Sequence, residues 1–482
     1  MVRPGTRLPV RVAGGRVLDV MTHVHAEVIS APRAALAALA ERPGVVAVSA
    51  DATGHVTGYG PSWNGHGSPS PSSRGILAPA LIGGDAGRPG AGAGETVALL
   101  DTGVDDTAAL NRAGGRLIDG VDVSGLPSGQ PARTTGTFTD GYGHGTFLAS
   151  LIAGGPMPGT GGQAVGVAPA AKVDVVKVAD DNGVTSLWQV LAGLNWVAAN
   201  AGSINVVNLS FAVNRATYPA YGADPLAYAV QLVRNAGVTV VAAVGNTPGQ
   251  VGDPGMAPQA ITVGAANLIS GGVAGFSGSG VVDGVQKPDL VASGQSVLGA
   301  MAPGTVVAQE NPSGWQSSGL FKGSGTSMSS AITAGAAAVL LGEHPGLSPL
   351  QVKTVLRETA TPMRDPRAGA GLLTLPSAGQ GWWQGGGWGG SGHGHDHGSG
   401  WGCGSVRADP TGEGCFDAAA WWRASWLGGA WLPWLASSWS ASSWSASSWS
   451  ASSWSASSWS ASSWSASSWS ASSWSASMWG GP

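Results

Sequence analysis

The sequence has few charged residues and no long apolar run, and both features bear on its possible partners. Of its 482 residues only 10% are Asp, Glu, Lys or Arg, whereas typical globular proteins have roughly 25%. A net charge of −4 offers no basic surface of the kind that nucleic-acid binding requires. No window reaches the ~20 apolar residues of a membrane span. We therefore expect no nucleic-acid partner and no membrane span.

The sequence also lacks an apolar signal-peptide core, and it has few cysteines. The first residues, MVRPGTRLPVRVAGG, contain no continuous apolar stretch. Cys403 and Cys415 are the two cysteines, and both lie near the C-terminus. In an exported protein they could close one short loop as a disulfide, whereas in the cytosol they would remain thiols.

Glycine is abundant, and its distribution divides the chain. The 79 glycines amount to about one residue in six, against an average near 7%. In the first 57 residues, VHAEVIS and VVAVSAD predict strands and PRAALAALAER predicts a short helix, so we expect a small α+β unit. The boundaries that we predict are a small unit at 1–57, a Gly/Pro/Ser linker at 58–92, a main domain at 93–375, a Gly/Trp/His-rich segment at 376–435 and a disordered ASSWS repeat tail at 436–482.

The main domain has the pattern of an α/β fold. Short apolar runs alternate with longer helix-like segments, which predicts a parallel central sheet with helices on both faces. The predicted strands are TVALL, KVDVVKV, INVVNLSF, VTVVAAV and AITVGAA. The predicted helices are TFLASLIAG, SLWQVLAGLNWVAAN, PLAYAVQLVRNAG, SPLQVKTVLRETA and the segment that follows Ser327.

Ser327 lies where the glycine-rich turn GSGTSM becomes the helix SSAITAGAAAVLLGEH. Small and apolar residues occupy every face of that helix, so we expect it to be buried all round. The free N–H groups and the dipole at a helix start favour negative charge, which suits a serine nucleophile whose attack generates an oxyanion. The alternative is that Ser327 only caps a core helix.

Three other residues have suitable positions for catalysis. Asp101 ends a predicted parallel strand, which is the end where α/β sheets place ligands and catalysts. His144 lies between two glycines at the start of a predicted helix, an arrangement that leaves its imidazole uncrowded for acid–base work. Asn246 follows the strand VTVVAAV, and its amide can donate a hydrogen bond to an oxyanion.

In this order, these four residues resemble the subtilisin-like serine protease (subtilase) family. The motifs are VALLDTGVD, DGYGHGTFLASLIAG, NVVNLSF, VVAAVGN and GTSMSSA, with KPDLVASG before the last. The resemblance covers about residues 60–375 and implies a serine endopeptidase that acts on proteins or peptides.

The resemblance also implies a role for each residue. Ser327 would attack the peptide carbonyl, His144 would transfer the proton, Asp101 would orient the imidazole, and Asn246 would stabilise the oxyanion. The residues that would bind substrate are Ser210, Phe211, Ala212, Val244, Gly245 and Gly252.

Some residues depart from the family pattern. The family usually has a second histidine at Phe147, a proline at Ala331 and a glycine at Ala212. Asp105-Asp106-Thr107 stands where the family often has His-Pro. These departures concern the substrate groove, and they prevent calcium sites, which the family resemblance allows, from being assigned to residues. No cofactor is otherwise expected.

The N-terminal unit resembles the family's inhibitory propeptide, whose last segment, here VVAVSADATGHVTG, normally lies in the active-site cleft. The resemblance implies a zymogen that is secreted or associated with the cell wall. The unit is shorter than usual. A start chosen downstream of the true one would explain this and the missing signal, as would a protein that is not exported by that route.

Past residue 376 the composition permits several readings. His393, His395 and His397 with Asp396 could bind a metal, or they could belong to a floppy glycine-rich linker. The tryptophans of ASSWS recur every five residues, and neither a helix nor a strand with that period has one apolar face. The repeat could be a multivalent tail that stacks on polysaccharide or cell-wall surfaces, or a neutral expansion. A catalytically idle scaffold that binds surfaces through this tail is the alternative function.

Overall fold

The computed structural model describes residues 1–376 except 10, 13, 47, 57–74, 214–223, 270 and 317. The predictions for the histidine cluster, both cysteines and the ASSWS repeat therefore lie outside the described residues. Among the residues that are described, none of the helices has the length and apolar character needed to cross a bilayer.

The N-terminal unit combines a small antiparallel sheet with one helix. Strands β1 (Arg11–Val12), β2 (Gly15–Met21) and β3 (Ala26–Ser30) pair in that order. Helix α1 (Leu36–Ala40) follows, and then strand β4 (Thr53–Val56). The strand expected over VVAVSAD is wrong: Val45 makes a single bridge to Val2, and the strand forms instead at β4. The apolar run is used in packing, since Val45 and Val46 are buried.

The rest of the described chain contains fifteen further strands and seven further helices. The strands are β5 (Ile76–Leu77), β6 (Thr96–Asp101), β7 (Leu117–Asp122), β8 (Lys172–Lys177), β9 (Val184–Ser186), β10 (Val206–Leu209), β11 (Phe211–Val213), β12 (Thr239–Ala243), β13 (Ile261–Asn267), β14 (Gly272–Val273), β15 (Gly280–Val282), β16 (Val285–Lys287), β17 (Leu290–Ser293), β18 (Val297–Gly299) and β19 (Phe321–Gly323). The helices are α2 (Pro79–Ile82), α3 (His144–Ala153), α4 (Leu187–Ala199), α5 (Pro225–Asn235), α6 (Val306–Glu310), α7 (Thr326–Glu343) and α8 (Pro349–Glu358).

The central sheet is parallel, as the alternating pattern predicts. Its order is β7-β8-β6-β10-β12-β13-β17, and every neighbouring pair in that run is parallel. The short β14 adds an antiparallel pair at the end of β13. Helices α3 and α7 pack together, and α4 and α5 form a second packed pair. The fold class is the predicted one, with helices on both faces of a parallel sheet.

Helix α7 forms the centre of the core. Every residue from Thr326 to Leu341 is buried, which confirms the prediction of a helix buried all round. The helix packs against β10, β12 and β13 of the sheet and against α3. Gly335 permits this close packing, because a Cβ there would lie 2.8 Å from the Val167 side chain. The position of Ser327 is therefore fixed by the packing of a whole helix.

A buried cluster of charges joins three segments of the chain. The carboxylate of Asp289 lies 3.0 Å from Nζ of Lys287 and 3.3 Å from Nζ of Lys353, and it accepts a hydrogen bond from the backbone N–H of Thr262. Burial lowers the pKa of Lys287 to about 8. Burial alone would raise the pKa of Asp289, but the two lysines hold it below its usual value. Asp289 is thus the counter-ion for two buried cations.

We expect Asp289→Ala to lower the free energy of unfolding by about 3–5 kcal/mol, because it leaves two buried cations without their counter-ion. The measurement is urea unfolding in a Ser327→Ala background, which prevents self-digestion. The matched control is Asp106→Ala. Asp106 is half-exposed, and its partner Arg112 keeps a second carboxylate in Asp119, so about 1 kcal/mol or less should be lost. Equal losses in the two variants would contradict the assignment.

Candidate active site

The parallel sheet places Asp101 beside His144. Asp101 is the last residue of β6, and His144 is the first of α3. The imidazole Nδ1 lies 2.8 Å from Oδ1 and 3.0 Å from Oδ2 of Asp101. Both side chains are buried, with exposures of 0% and 1%. A carboxylate at this distance fixes the ring orientation and stabilises a charged imidazolium.

A second aspartate, Asp140, holds the loops around this pair. Its Oδ1 accepts hydrogen bonds from the Thr102 hydroxyl and from the backbone N–H groups of Tyr142 and Gly143. Its Oδ2 accepts from both the backbone N–H and the hydroxyl of Thr146. Burial raises the pKa of Asp140 to about 6, while these donors favour the ionised form. Asp140 therefore ties the segment after β6 to the first turn of α3.

The sequence analysis assigned no role to Asp140 or Thr102, although both stand inside the quoted motifs. Thr102 donates to Asp140 and accepts from the N–H of Gly145. A buried carboxylate four residues before a glycine-rich helix start is a signal that could have indicated such a bridge.

The glycines around His144 serve a purpose different from the one predicted. The imidazole is fully buried, so they do not leave it in open space. Gly143 has φ +104°, a conformation that side chains rarely adopt. A Cβ on Gly145 would lie 2.0 Å from the carbonyl oxygen of Gly103. The glycines permit a left-handed turn and a close backbone approach, which together bring α3 against the end of β6.

The start of α7 is held by residues from two central strands. Oδ1 of Asn246, just after β12, accepts from the backbone N–H and the hydroxyl of Thr326, both at 2.9 Å. Because Oδ1 faces Thr326, the amide nitrogen Nδ2 of Asn246 points away from Thr326. The hydroxyl of Ser327 lies 3.4 Å from the carbonyl oxygen of Ser210, which follows β10. The predicted residues Asn246, Ser210 and Ser327 are therefore neighbours.

Asn208 and Ser330 strengthen this connection, although sequence reasoning gave them no role. The hydroxyl of Ser330 in α7 donates to Oδ1 of Asn208 at 2.7 Å, and Nδ2 of Asn208 donates to the Ser210 hydroxyl at 2.9 Å. All three side chains are buried. This chain of hydrogen bonds fixes the register of α7 against the sheet.

Several residues predicted to bind substrate lie next to one another, beside the space between β11 and β9 that we call the groove. Gly252 donates its N–H to the carbonyl of Val244, and a Cβ on Gly252 would lie 3.4 Å from the Cβ of Ala212. Gly245 has φ +101° and accepts a hydrogen bond from Gly278. Phe211 and Ala212 belong to β11. The structure thus brings β11 next to the small residues that follow β12.

Strand β4 of the N-terminal unit occupies this groove. It pairs antiparallel with β11 on one side and with β9 on the other. Val56 lies opposite Phe211, and Gly54 lies opposite Val213. The three-stranded sheet β11-β4-β9 therefore contains one strand that comes from outside the main domain.

Two of the positions that depart from the family pattern, Phe147 and Ala331, are packed in the interior. Phe147 makes an edge contact with Phe321 at 6.1 Å between ring centroids, and Ala331 is buried in α7. Across the part of the chain that the structure describes, no group of three or more His, Cys, Asp or Glu side chains is arranged to hold a metal ion. Calcium is therefore assigned to no residue.

The comparison with known proteins identifies the family of the main domain. The model of the subtilase family matches residues 92–402, more than half of the chain. The chain belongs to the subtilase family. Subtilisin Savinase of Lederbergia lenta is 34% identical over 291 residues, which cover 60% of this subtilase and 91% of that protein.

Two relatives from Bacillus subtilis (strain 168) are longer than the region they share with this subtilase. Serine protease AprX is 32% identical over 289 residues, covering 57% of this chain and 63% of its own length. Subtilisin E is 32% identical over 296 residues, covering 60% and 66%. The chain thus spans less than two thirds of either protein. A solved structure of a cold adapted subtilisin-like serine proteinase is 27% identical with a TM-score of 0.47, covering 63% of this chain and 97% of that one.

We expect Asp140→Asn to destabilise this subtilase by about 1–3 kcal/mol at pH 8, because one carboxylate oxygen becomes an NH₂ group that faces N–H donors. The measurement is urea unfolding in the Ser327→Ala background. The control is Asp365→Asn, whose carboxylate is partly exposed and binds Arg367. A loss at Asp140 no larger than the loss at Asp365 would contradict a bridging role.

Proposed function

We propose that this subtilase is a serine endopeptidase, made as a zymogen, that hydrolyses protein or peptide substrates. The observation that carries the proposal is the buried Asp101–His144 pair at the end of β6, in a domain where Ser327 begins the buried helix α7. An Asp–His pair held at 2.8 Å has little structural value for a fold that already has a large apolar core. It is the arrangement that proton transfer from a serine requires.

In this proposal Oγ of Ser327 attacks the carbonyl carbon of the scissile peptide bond. Nε2 of His144 takes the hydroxyl proton and then delivers it to the leaving amine, which departs with the C-terminal product. Asp101 holds Nδ1 and stabilises the imidazolium. Water, activated by the same imidazole, then releases the acyl group as a carboxylic acid and restores the Ser327 hydroxyl.

The oxyanion that forms during attack would be stabilised by Asn246 and by the backbone N–H of Ser327. The contact between Oδ1 of Asn246 and Thr326 supports this role, since it leaves the amide nitrogen on the other side of the group. The first turn of a helix adds a favourable dipole. Two donors fixed before the reaction cost no reorganisation when charge develops.

The N-terminal unit would be an inhibitory propeptide. Its strand β4 fills the groove between β9 and β11, where a substrate strand would bind by strand addition. The unit is also anchored at the start of α4. Oδ1 of Asp51 accepts from the N–H of Trp188, and the carbonyl of Ala52 accepts from Leu187. A carboxylate is favoured at a helix start.

The proposal also covers where the protein acts and what its C-terminal repeat binds. A zymogen with such a propeptide suits a protein that is secreted or associated with the cell wall. The tryptophan repeat would then add weak contacts to polysaccharide or cell-wall surfaces. The alternative of an idle scaffold that binds surfaces through the tail predicts no hydrolysis at all.

The direct test is hydrolysis of a short fluorogenic peptide together with labelling by a serine-reactive phosphonate. We expect the parent protein to hydrolyse the peptide and to be labelled on Ser327. Ser327→Ala should lose about 10⁶-fold in kcat, a magnitude known from subtilisin itself, with an unchanged unfolding transition. Residual activity within tenfold of the parent would exclude Ser327 as the nucleophile. An unlabelled and inactive parent would favour the idle scaffold.

Self-cleavage should separate the N-terminal unit between Asp51 and about Arg74, because β4 lies in the groove and the sequence that follows it is rich in Gly, Pro and Ser. N-terminal sequencing of the purified parent should then find a start within that window, whereas Ser327→Ala protein should keep residues 1–57. A parent that still begins at its first residues, or a Ser327→Ala protein cut in the same window, would argue against self-processing.

A further inference from the structure

Strand β4 shows which side chains the groove can accept. Within it, Gly54 and Val56 are buried and face the protein, while Thr53 and His55 are exposed. The N–H of Val56 donates to the carbonyl of Gly183, just before β9, so the strand is held on that side as well. If the groove binds substrates as the proposed function requires, the same two inward positions receive substrate side chains.

The position of Gly54 has no room for a side chain. A Cβ there would lie 3.0 Å from the carbonyl oxygen of Ala212, 3.0 Å from Cγ2 of Thr185 and 3.2 Å from Cα of Val213. Two of these three atoms are backbone atoms of β11 and cannot turn away. The remaining contact is made by the side chain of Thr185, so among these three contacts it is the one that a substitution can remove.

Thr185 is locked in its orientation. The residue is 1% exposed, and its hydroxyl donates to the carbonyl of Val178 at 2.9 Å. A β-branched side chain has few χ1 states, and turning the methyl group away from Gly54 would break this buried hydrogen bond. The methyl group of Thr185 therefore closes the groove opposite Gly54.

The neighbouring inward position is arranged in the reverse way. Next to Val56 the wall carries Gly183, where a Cβ would lie 3.0 Å from Cγ2 of Val56 and 2.9 Å from the ring of Tyr142. The wall thus has a glycine where the bound strand has valine, and a threonine where the bound strand has glycine. A bound strand therefore needs a small inward side chain where the wall has a large one, and a large inward side chain where the wall has glycine.

We propose that Thr185 makes the groove selective for glycine at the substrate residue that lies opposite Val213. The hydroxyl of Ser327 lies beside Ser210, so the attacked carbonyl belongs to the residue opposite Ser210. In the antiparallel register, Gly54 lies opposite Val213, and a substrate glycine at this position would stand three residues before the residue whose carbonyl is attacked. Val56 lies opposite Phe211, so a branched apolar residue would follow two positions after that glycine. Preferred substrates therefore carry the pattern Gly-x-Val-x before the cleaved bond. This inference rests on the proposed function for its meaning, although its fit can be tested without activity.

The first experiment uses hydrogen exchange of the full-length Ser327→Ala protein, which keeps β4 attached. Gly54→Ala should reduce the protection of the Val56 amide by about tenfold or more, although alanine has the better intrinsic preference for an ordered backbone. His55→Ala is the matched control, because its side chain faces solvent and should leave protection unchanged. Thr185→Ser keeps the hydroxyl bond to Val178 and removes only the methyl group, so it should restore part of the protection lost in Gly54→Ala, while the contact with the carbonyl oxygen of Ala212 remains.

The second experiment measures kcat/KM of the active protein for two peptides, Thr-Gly-His-Val-Thr and Thr-Ala-His-Val-Thr, each with a fluorogenic leaving group. We expect the glycine peptide to be preferred by roughly 10–200-fold, the range of one methyl group in a closed pocket. Thr185→Ser should reduce that preference at least threefold, mainly by improving hydrolysis of the alanine peptide. Val184→Ala, on the neighbouring residue of β9, should leave it unchanged.

The outcomes separate this inference from the proposed function. Equal hydrolysis of the two peptides, with full protection in Gly54→Ala, would overturn glycine selectivity and leave the endopeptidase intact. A preference that persists undiminished in Thr185→Ser would overturn the assignment to Thr185. Hydrolysis of neither peptide would overturn the proposed function, and the exchange data would then decide the shape of the groove alone.

Discussion

The burial of helix α7 is the constraint on which the rest of the structure depends. A helix of small and apolar residues that packs against five strands of the central sheet cannot slide or rotate without opening voids in the core. Its first turn therefore stands at a fixed place beyond the carboxyl ends of β10 and β12. Hydrogen bonds that Thr326 donates to Asn246 and that Ser330 donates to Asn208 then fix its register. Apolar packing thus sets the position of α7, and the hydrogen bonds fix its register.

The other half of the site depends on a different kind of contact. His144 and Asp101 come from elements with little side-chain bulk between them, and their approach is set by backbone contact at Gly145 and Gly103. Asp140 gathers the N–H groups that a glycine-rich turn leaves unsatisfied. The glycine-rich turn has few side chains that could pack together, and the buried carboxylate of Asp140 holds it in place instead. The elements that carry the two halves are neighbours, since β6 and β10 are adjacent in the parallel sheet and α3 packs against α7.

Much of the main domain could be predicted from local pattern. Strand β6 and helix α4 lie within a residue or two of their predicted bounds, because strongly apolar runs in a parallel sheet are read from composition alone. VVAVSAD was predicted wrongly because its apolar residues pack as an irregular segment, and periodicity does not distinguish burial from strand pairing. The bond between Thr102 and Asp140 could not be predicted, since the fold brings together two side chains that are 38 positions apart, whereas the backbone partners of Asp140 lie within six residues of it. The roles of the four candidate site residues remain a proposal from the family and the geometry.

The contact between Leu375 and Ile82 has a consequence for the topology of the main domain. The N–H of Leu375 donates to the carbonyl of Ile82 at 2.7 Å, and Leu373 donates to Val291 of β17. The last described residues of the domain therefore contact α2, which lies within the segment 58–92 that was predicted to be a linker. Joining the two ends there and opening the chain at an exposed turn elsewhere would preserve every strand pairing of the central sheet. The two ends of the domain are thus in contact with each other. A circular permutant would show whether the order in which the elements are synthesised matters for folding.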